Sequence, residues 1–166
     1  SMQTGVIDAV EWVGPYNDRT LGLMEVAEYY YYPGWHEPGA MLEFTVNQAA
    51  FDRLPSDLQA IVEGAARATN QDMLDEFTAR NNESLTTLLE AHSTKLRPLP
   101  DDVMDVLHSN AVIALEQLKE DDPMAQKISA SYEVFLDGVR TYHEISERAY
   151  LNARDRVLPP ISFTEQ

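Results

Sequence analysis

The chain has 166 residues, 44% of them hydrophobic and 24% charged, which suits a globular domain with a real core. Its 28 acids against 12 bases give a net charge of −16, the wrong sign for gripping nucleic-acid phosphates or an anionic membrane surface. With no cysteine, disulfides, thiolate metal sites and thiol catalysis are excluded, and no apolar run approaches the roughly 20 residues of a membrane span.

The chain opens Ser1-Met2 without a signal-peptide pattern, so the expectation is that an original N-terminus lies upstream. Residues 5–12 predict a strand, because Val6, Ile7, Ala9, Val10 and Trp12 make a mostly apolar run that Gly14-Pro15 stops. An apolar strand of this kind belongs inside a sheet covered on both faces, and the chain offers it few neighbours. A short helix is expected over 17–27, capped by Asn17 or Asp18. Tyr29–Tyr32 form an aromatic block of good strand propensity, ended by Pro33-Gly34. Pro38-Gly39 breaks the chain again, so Trp35, His36 and Glu37 are displayed on a constrained loop. Met41–Val46 alternate as a further strand.

From Ser56 the period becomes helical. Ser56 and Gln59 have capping-box spacing, and Leu58, Ile61, Val62, Ala65, Thr69, Met73 and Phe77 share one face of a long helix, which Asn81-Asn82 would break or bend. Lys95–Leu99 predicts an edge strand and Pro100–Glu120 an amphipathic helix. Asp122-Pro123 has the form of an N-cap followed by proline at the first helical position. The last helix, over about 124–152, would be roughly 43 Å long, more than a compact domain of this size spans. Its stripe of Ile128, Tyr132, Phe135, Val139, Tyr142 and Ile145 wants another surface, from another lobe or a second copy. Residues 159–166 predict a flexible tail.

Chemistry points to the first 39 residues. Glu11 stands in an apolar run, where a carboxylate is costly unless paired, hydrogen-bonded or metal-bound, or unless it reaches water at the strand end. Glu37 is an acid in a Pro-Gly loop, a setting in which acids are ordinarily solvated. Together they offer hard oxygen ligands suited to Na⁺ or Ca²⁺, or equally an acid–base pair for glycoside hydrolysis. The four histidines add little. His143 and Glu144 resemble the zinc-protease pattern, but Glu147 replaces its second histidine, and a solvated helix face explains them. No nucleophile elbow, phosphate-cradling loop or dinucleotide fingerprint is present.

Gly5-Val-Ile-Asp-Ala-Val-Glu-Trp-Val-Gly-Pro-Tyr, then Tyr29-Tyr-Tyr-Tyr-Pro-Gly-Trp and Glu37-Pro-Gly, resemble the periplasmic solute-binding subunits of TRAP transporters, in their 2-oxo-acid and monocarboxylate branch. Phe51-Asp-Arg-Leu-Pro and Leu96-Arg-Pro-Leu-Pro extend the resemblance, which runs from Gly5 to about Asn152. It implies a helix-rich α/β chain, the C-terminal portion of a two-lobed, type II-like periplasmic-binding-protein fold over 1–158, without catalysis. It also implies a cation, Na⁺ or Ca²⁺, held by Glu11, the Trp12 carbonyl and Glu37, which chelates a small carboxylate that Trp12 also contacts. The implied partners are that carboxylate and membrane permease subunits, and the implied location is the periplasm; the stripe of the long C-terminal helix separately suggests a second copy as partner. Two departures stand out: His36 occupies a position where an aromatic is common, and the chain matches only the C-terminal half of family members. The arginine that clamps the substrate belongs to the other half, so half a site is expected here. A helical interaction module without ligand binding is the alternative.

Overall fold

The computed structural model describes residues 1–39, 41–92 and 94–158. It contains the helices α1 (Pro15–Thr20), α2 (Gln48–Phe51), α3 (Ser56–Ala91), α4 (Asp101–Asp121), α5 (Pro123–Ile145) and α6 (Glu147–Val157), with strands β1 (Tyr29–Tyr32) and β2 (Lys95–Pro98). Contacts group these into two units, Ser1–Leu99 and the chain from Pro100 onward.

In the first unit the tyrosine block forms β1 as its aromatic composition predicts. It pairs in parallel with β2, Tyr29 opposite Lys95 and Tyr32 opposite Pro98. The ladder extends at both ends, where Lys95 N–H donates to Glu28 O at 2.8 Å and Leu99 N–H to Tyr32 O at 2.7 Å. α3, 36 residues and about 54 Å long, connects the two strands together with α2. Asn81 and Asn82 lie within it and neither ends it. Its C-terminal half packs against α1, with the Tyr16 ring edge-on to Phe77 at 6.3 Å. Leu88, 2% exposed, is the one buried hydrophobic side chain among the described residues, and Ser84, Asp18 and Thr94 are buried with it.

Several expectations are corrected. Residues 5–12 and 41–46 are not strands, since neither segment pairs with a strand among the described residues; Val6, Met41, Leu42 and Phe44 are instead exposed. The helix expected over 17–27 starts at Pro15, ends at Thr20 and is followed by a single 3-10 turn at Leu23–Glu25. Its N-cap is Gly14, not Asn17 or Asp18. The capping box at Ser56 does not close: Pro55 is the N-cap, and Gln59 Nε2 donates backward to Phe51 O and Leu54 O, each at 3.1 Å. The apolar face expected on α3 stands open at its start, with Leu58 and Ile61 exposed.

The second unit follows the sequence closely at its start. α4 opens after Pro100, and Asp122 caps α5 by accepting Met124 N–H at 2.7 Å ahead of Pro123. Lys119 ties α4 to α5 through Glu133 Oε1 at 3.0 Å, and also holds Glu116 on its own helix; these bonds raise the lysine's pKa, Glu116 foremost. The long last helix is two helices. Ser146 leaves helical geometry at φ −109° and ψ −109°, and its hydroxyl donates to the Tyr142 carbonyl at 2.8 Å, a back-bond that bends helices. Ile128, Tyr132, Phe135, Tyr142 and Ile145, the stripe expected to want another surface, are exposed. Residues 159–166 lie outside the described residues.

Candidate functional site

Glu11 and Trp12 sit on irregular backbone just before the Gly14-Pro15 turn that launches α1. β1 delivers the other side: past the cis Tyr32–Pro33 peptide, the chain turns through Gly34 to Trp35 and His36. A Cβ on Gly34 would meet the Glu37 carbonyl oxygen at 3.2 Å, so the turn is tight enough to favour glycine. Between these segments lies a cavity of about 790 Å³, and Glu11, Trp12, Asp18, Tyr30, Trp35 and His36 line it, with Leu88 and Thr94.

Within it, Glu11 Oε2 stands 2.9 Å from His36 Nε2. The His36 ring lies edge-on to Trp35 at 6.2 Å, so the loop's two aromatic rings support each other. Deeper in, Tyr30 Oη donates to Asp18 Oδ2 at 2.6 Å. Burial pushes the Asp18 carboxyl up from its usual 3.8, against the lowering effect of the Tyr30 bond and the nearby Gly14 and Val13 amides; the Glu11 charge adds to the rise. Tyr30 is raised as well, by burial first and then by Asp18. The second Asp18 oxygen, Oδ1, and Thr94 Oγ1 are buried without a hydrogen-bond partner. Two polar atoms left in that state on the wall of one cavity are suited to meeting water or a polar ligand.

The structure therefore brings Glu11 and Trp12 together on the cavity. It does not bring Glu37 to them: that carboxylate does not line the cavity and accepts Met41 N–H at 3.1 Å. The donor chemistry of Glu11 and the Trp12 carbonyl suits a hard cation. The number of donors falls short, since among the described residues no three acidic or histidine side chains are grouped to hold a metal. Sequence reasoning missed Asp18, Tyr30 and Thr94. Asp18 reads in the sequence as a capping candidate, and nothing in the pattern signals that an aspartate in a six-residue helix turns inward to a tyrosine. His143, near the end of α5, stands 3.8 Å from Glu147 at the start of α6.

A helix-rich chain with a small parallel strand pair and a largely apolar cavity edged by an exposed carboxylate suits binding of a small ligand. Residues 1–116 match the bacterial extracellular solute-binding proteins of family 7, and the chain belongs to that family, one of solute-binding proteins and not of enzymes. It is 37% identical over 152 residues to a monocarboxylate 2-oxoacid-binding periplasmic protein of Nostoc sp. (strain PCC 7120), covering 92% of this chain and 42% of that protein. Among solved structures, it is similar to a TRAP transporter solute-binding protein of Bordetella bronchiseptica RB50, at 34% identity and a TM-score of 0.84, over 92% of this chain and 45% of that one. That crystal is a mixed-occupancy dimer, with copurified calcium and picolinate in one active site and an apo site in the other. A periplasmic TRAP solute-binding protein of Pseudoalteromonas atlantica T6c, with sodium and pyruvate bound, is 36% identical with a TM-score of 0.83, over 91% of this chain and 46% of that one. The fold expected from the resemblance is thus present, and the chain spans less than half the length of these relatives.

Proposed function

We propose that this chain carries part of the ligand site of an extracytoplasmic TRAP solute-binding protein, one that takes a small 2-oxo or 2-hydroxy monocarboxylate together with Na⁺ or Ca²⁺. The observation that carries this reading is the placement of Glu11 and Trp12 side by side on the cavity, in a chain whose solved neighbours hold a cation with pyruvate or with picolinate. Glu11 supplies carboxylate oxygen and Trp12 its carbonyl to the cation, and the Trp12 side chain, 54% exposed, lies free to cover the organic part of the ligand. Glu37 joins them on releasing Met41 N–H. The remaining donors, including an arginine whose two-pronged geometry matches a carboxylate, come from polypeptide outside this chain. Residues 1–158 serve as one lobe of that protein. Its location is the periplasm, where it hands the acid to membrane permease subunits.

A second reading is favoured by one observation, the exposed apolar face of α5: an interaction module that pairs with another copy through its last helices. One experiment separates the two. The melting temperature is followed with pyruvate, lactate or neither, with and without Na⁺ or Ca²⁺, at two protein concentrations, for the parent chain and Glu11→Gln. A ligand that binds only the folded state raises stability by RT ln(1 + [L]/Kd). Stabilisation that needs acid and cation together, and vanishes in Glu11→Gln, supports the binding reading. Stability that rises with protein concentration and ignores ligand and cation overturns it in favour of the module.

A further inference from the structure

We propose that Asn81, in the C-terminal half of α3, is the positioning residue of the Glu11–Trp12 arm, holding it at its place on the cavity through the Gly14-Pro15-Tyr16 turn. The first N–H groups of any helix need partners from outside it. α1 has no side-chain cap of its own, because its N-cap is Gly14, which has no side chain to offer. Asn81 supplies the missing group from a distant part of the chain, accepting Tyr16 N–H on its Oδ1 at 2.9 Å.

The same oxygen explains the glycine. Gly14 has φ 163°, extended backbone that any residue adopts, so dihedral freedom is not what the position requires. A Cβ at Gly14 would stand 3.1 Å from Asn81 Oδ1, tighter than ordinary contact. Room for Asn81 is therefore what glycine provides. Beside this bond, the arm is held by the exposed Glu11–His36 pair at its far end and by the Asp18 carboxylate near the Val13 and Gly14 amides. Among the described residues, the backbone of 7–13 makes no backbone–backbone hydrogen bond. Asp18 faces the Val13 and Gly14 amides from within, yet its Oδ1 closes no hydrogen bond. The other fastenings of α1, the Tyr16–Phe77 ring contact, Arg19 to Thr87 and Tyr30 to Asp18, secure the helix, while Asn81 reaches the turn before it from α3.

The importance given to the arm rests on the function proposed above, but the test reads the arm without ligand, so the two fail separately. The chain has two tryptophans, so in a Trp35→Phe background the near-ultraviolet circular dichroism and acrylamide quenching report Trp12 alone. Asn81→Asp retains an acceptor oxygen and is expected to keep the Trp12 signals. Asn81→Leu removes the oxygen at similar size and is expected to lose the Trp12 dichroic band and raise quenching while the far-ultraviolet helical signal stays. An Asn81→Leu chain with a lowered melting temperature and unchanged Trp12 signals overturns the proposal, because Asn81 would then be a fastening of α3 alone. So does an Asn81→Asp chain that loses the signals as Leu does. Should Asn81→Leu fail to fold, Gly14→Ala replaces it: the added methyl is expected to disturb Trp12 in the parent chain and to be silent in an Asn81→Ala chain, and equal effects in both overturn the proposal.

Discussion

Glu11 Oε2 and His36 Nε2 meet at 2.9 Å, joining the segment before α1 to the loop after β1 across the cavity that both residues line. The pair is open to water, the side chains being 64% and 35% exposed, so screening leaves it worth about 0–1 kcal/mol of stability. Its significance is competition. A cation on Glu11 must share or displace the imidazole. His36→Ala is therefore expected to leave the urea-unfolding midpoint nearly unchanged and to enlarge the stabilisation given by Na⁺ or Ca²⁺ with pyruvate. A smaller stabilisation in His36→Ala would show that the imidazole orients Glu11 for the cation.

The buried pair beneath gives a pH dependence of definite sign. Asp18 has its pKa raised by burial, so in the window from the ordinary 3.8 upward the folded chain holds a proton that the unfolded chain has lost. Unfolding free energy then falls as pH rises through that window, and the contribution is complete below the unfolded value and lost above the folded one. Urea titrations between mildly acidic and neutral pH are expected to show this loss, and Asp18→Asn to remove that part of the slope. Tyr30→Phe deletes the hydrogen bond from Tyr30 to the Asp18 carboxylate and leaves that carboxylate buried, at an expected cost of about 1–3 kcal/mol at neutral pH.

What the sequence made legible and what it hid separate along one physical line. Tyr29–Tyr32 and Lys95–Pro98 were readable as strands because composition and proline punctuation agree, and each finds the other as its partner. Asp122-Pro123 was readable because capping is local chemistry. Residues 5–12 and 41–46 carry the apolar content of buried strands, but a strand exists only with a hydrogen-bonded neighbour, and pattern alone does not say whether the same chain provides one. Glu11 and Trp12 were legible through the motif and do reach the cavity. Glu37 shared the motif yet points its carboxylate at Met41, because a loop's side-chain partners are set by geometry a few residues away. The link from Asn81 to Tyr16 spans two elements far apart in sequence, and no periodicity encodes it.

Two substitutions on the single helix α3 should separate core from unpartnered surface. Leu88 is 2% exposed, and truncation to alanine removes packing that the surrounding side chains can replace only in part, so Leu88→Ala is expected to cost about 2–5 kcal/mol. Ile61, on the same helix, is 63% exposed, and Ile61→Ala is expected to fall within about 0.5 kcal/mol of the parent. Equilibrium urea unfolding of both variants checks the contrast. A large loss at Ile61 would mean that its face is covered in solution, which sedimentation of the parent chain would then show as association.

Asp122 serves two helices at once. Its backbone N–H donates to Leu118 O at 3.1 Å to finish α4, while its side chain accepts Met124 N–H at 2.7 Å to begin α5. Substitution by alanine keeps the first bond and deletes the second. Pro123 at the next position has no N–H to satisfy, so Met124 is the earliest donor of α5 and loses its partner outright. Asp122→Ala is accordingly expected to cost about 0.5–2 kcal/mol, and Asp122→Asn, which retains a capping oxygen, much less. The measurement is urea unfolding followed by far-ultraviolet circular dichroism, which reads the helices directly. If the loss tracks the charge rather than the oxygen, Asn will behave as Ala does, and the favourable interaction at the start of α5 will be that of a carboxylate with the helix dipole instead of a hydrogen bond.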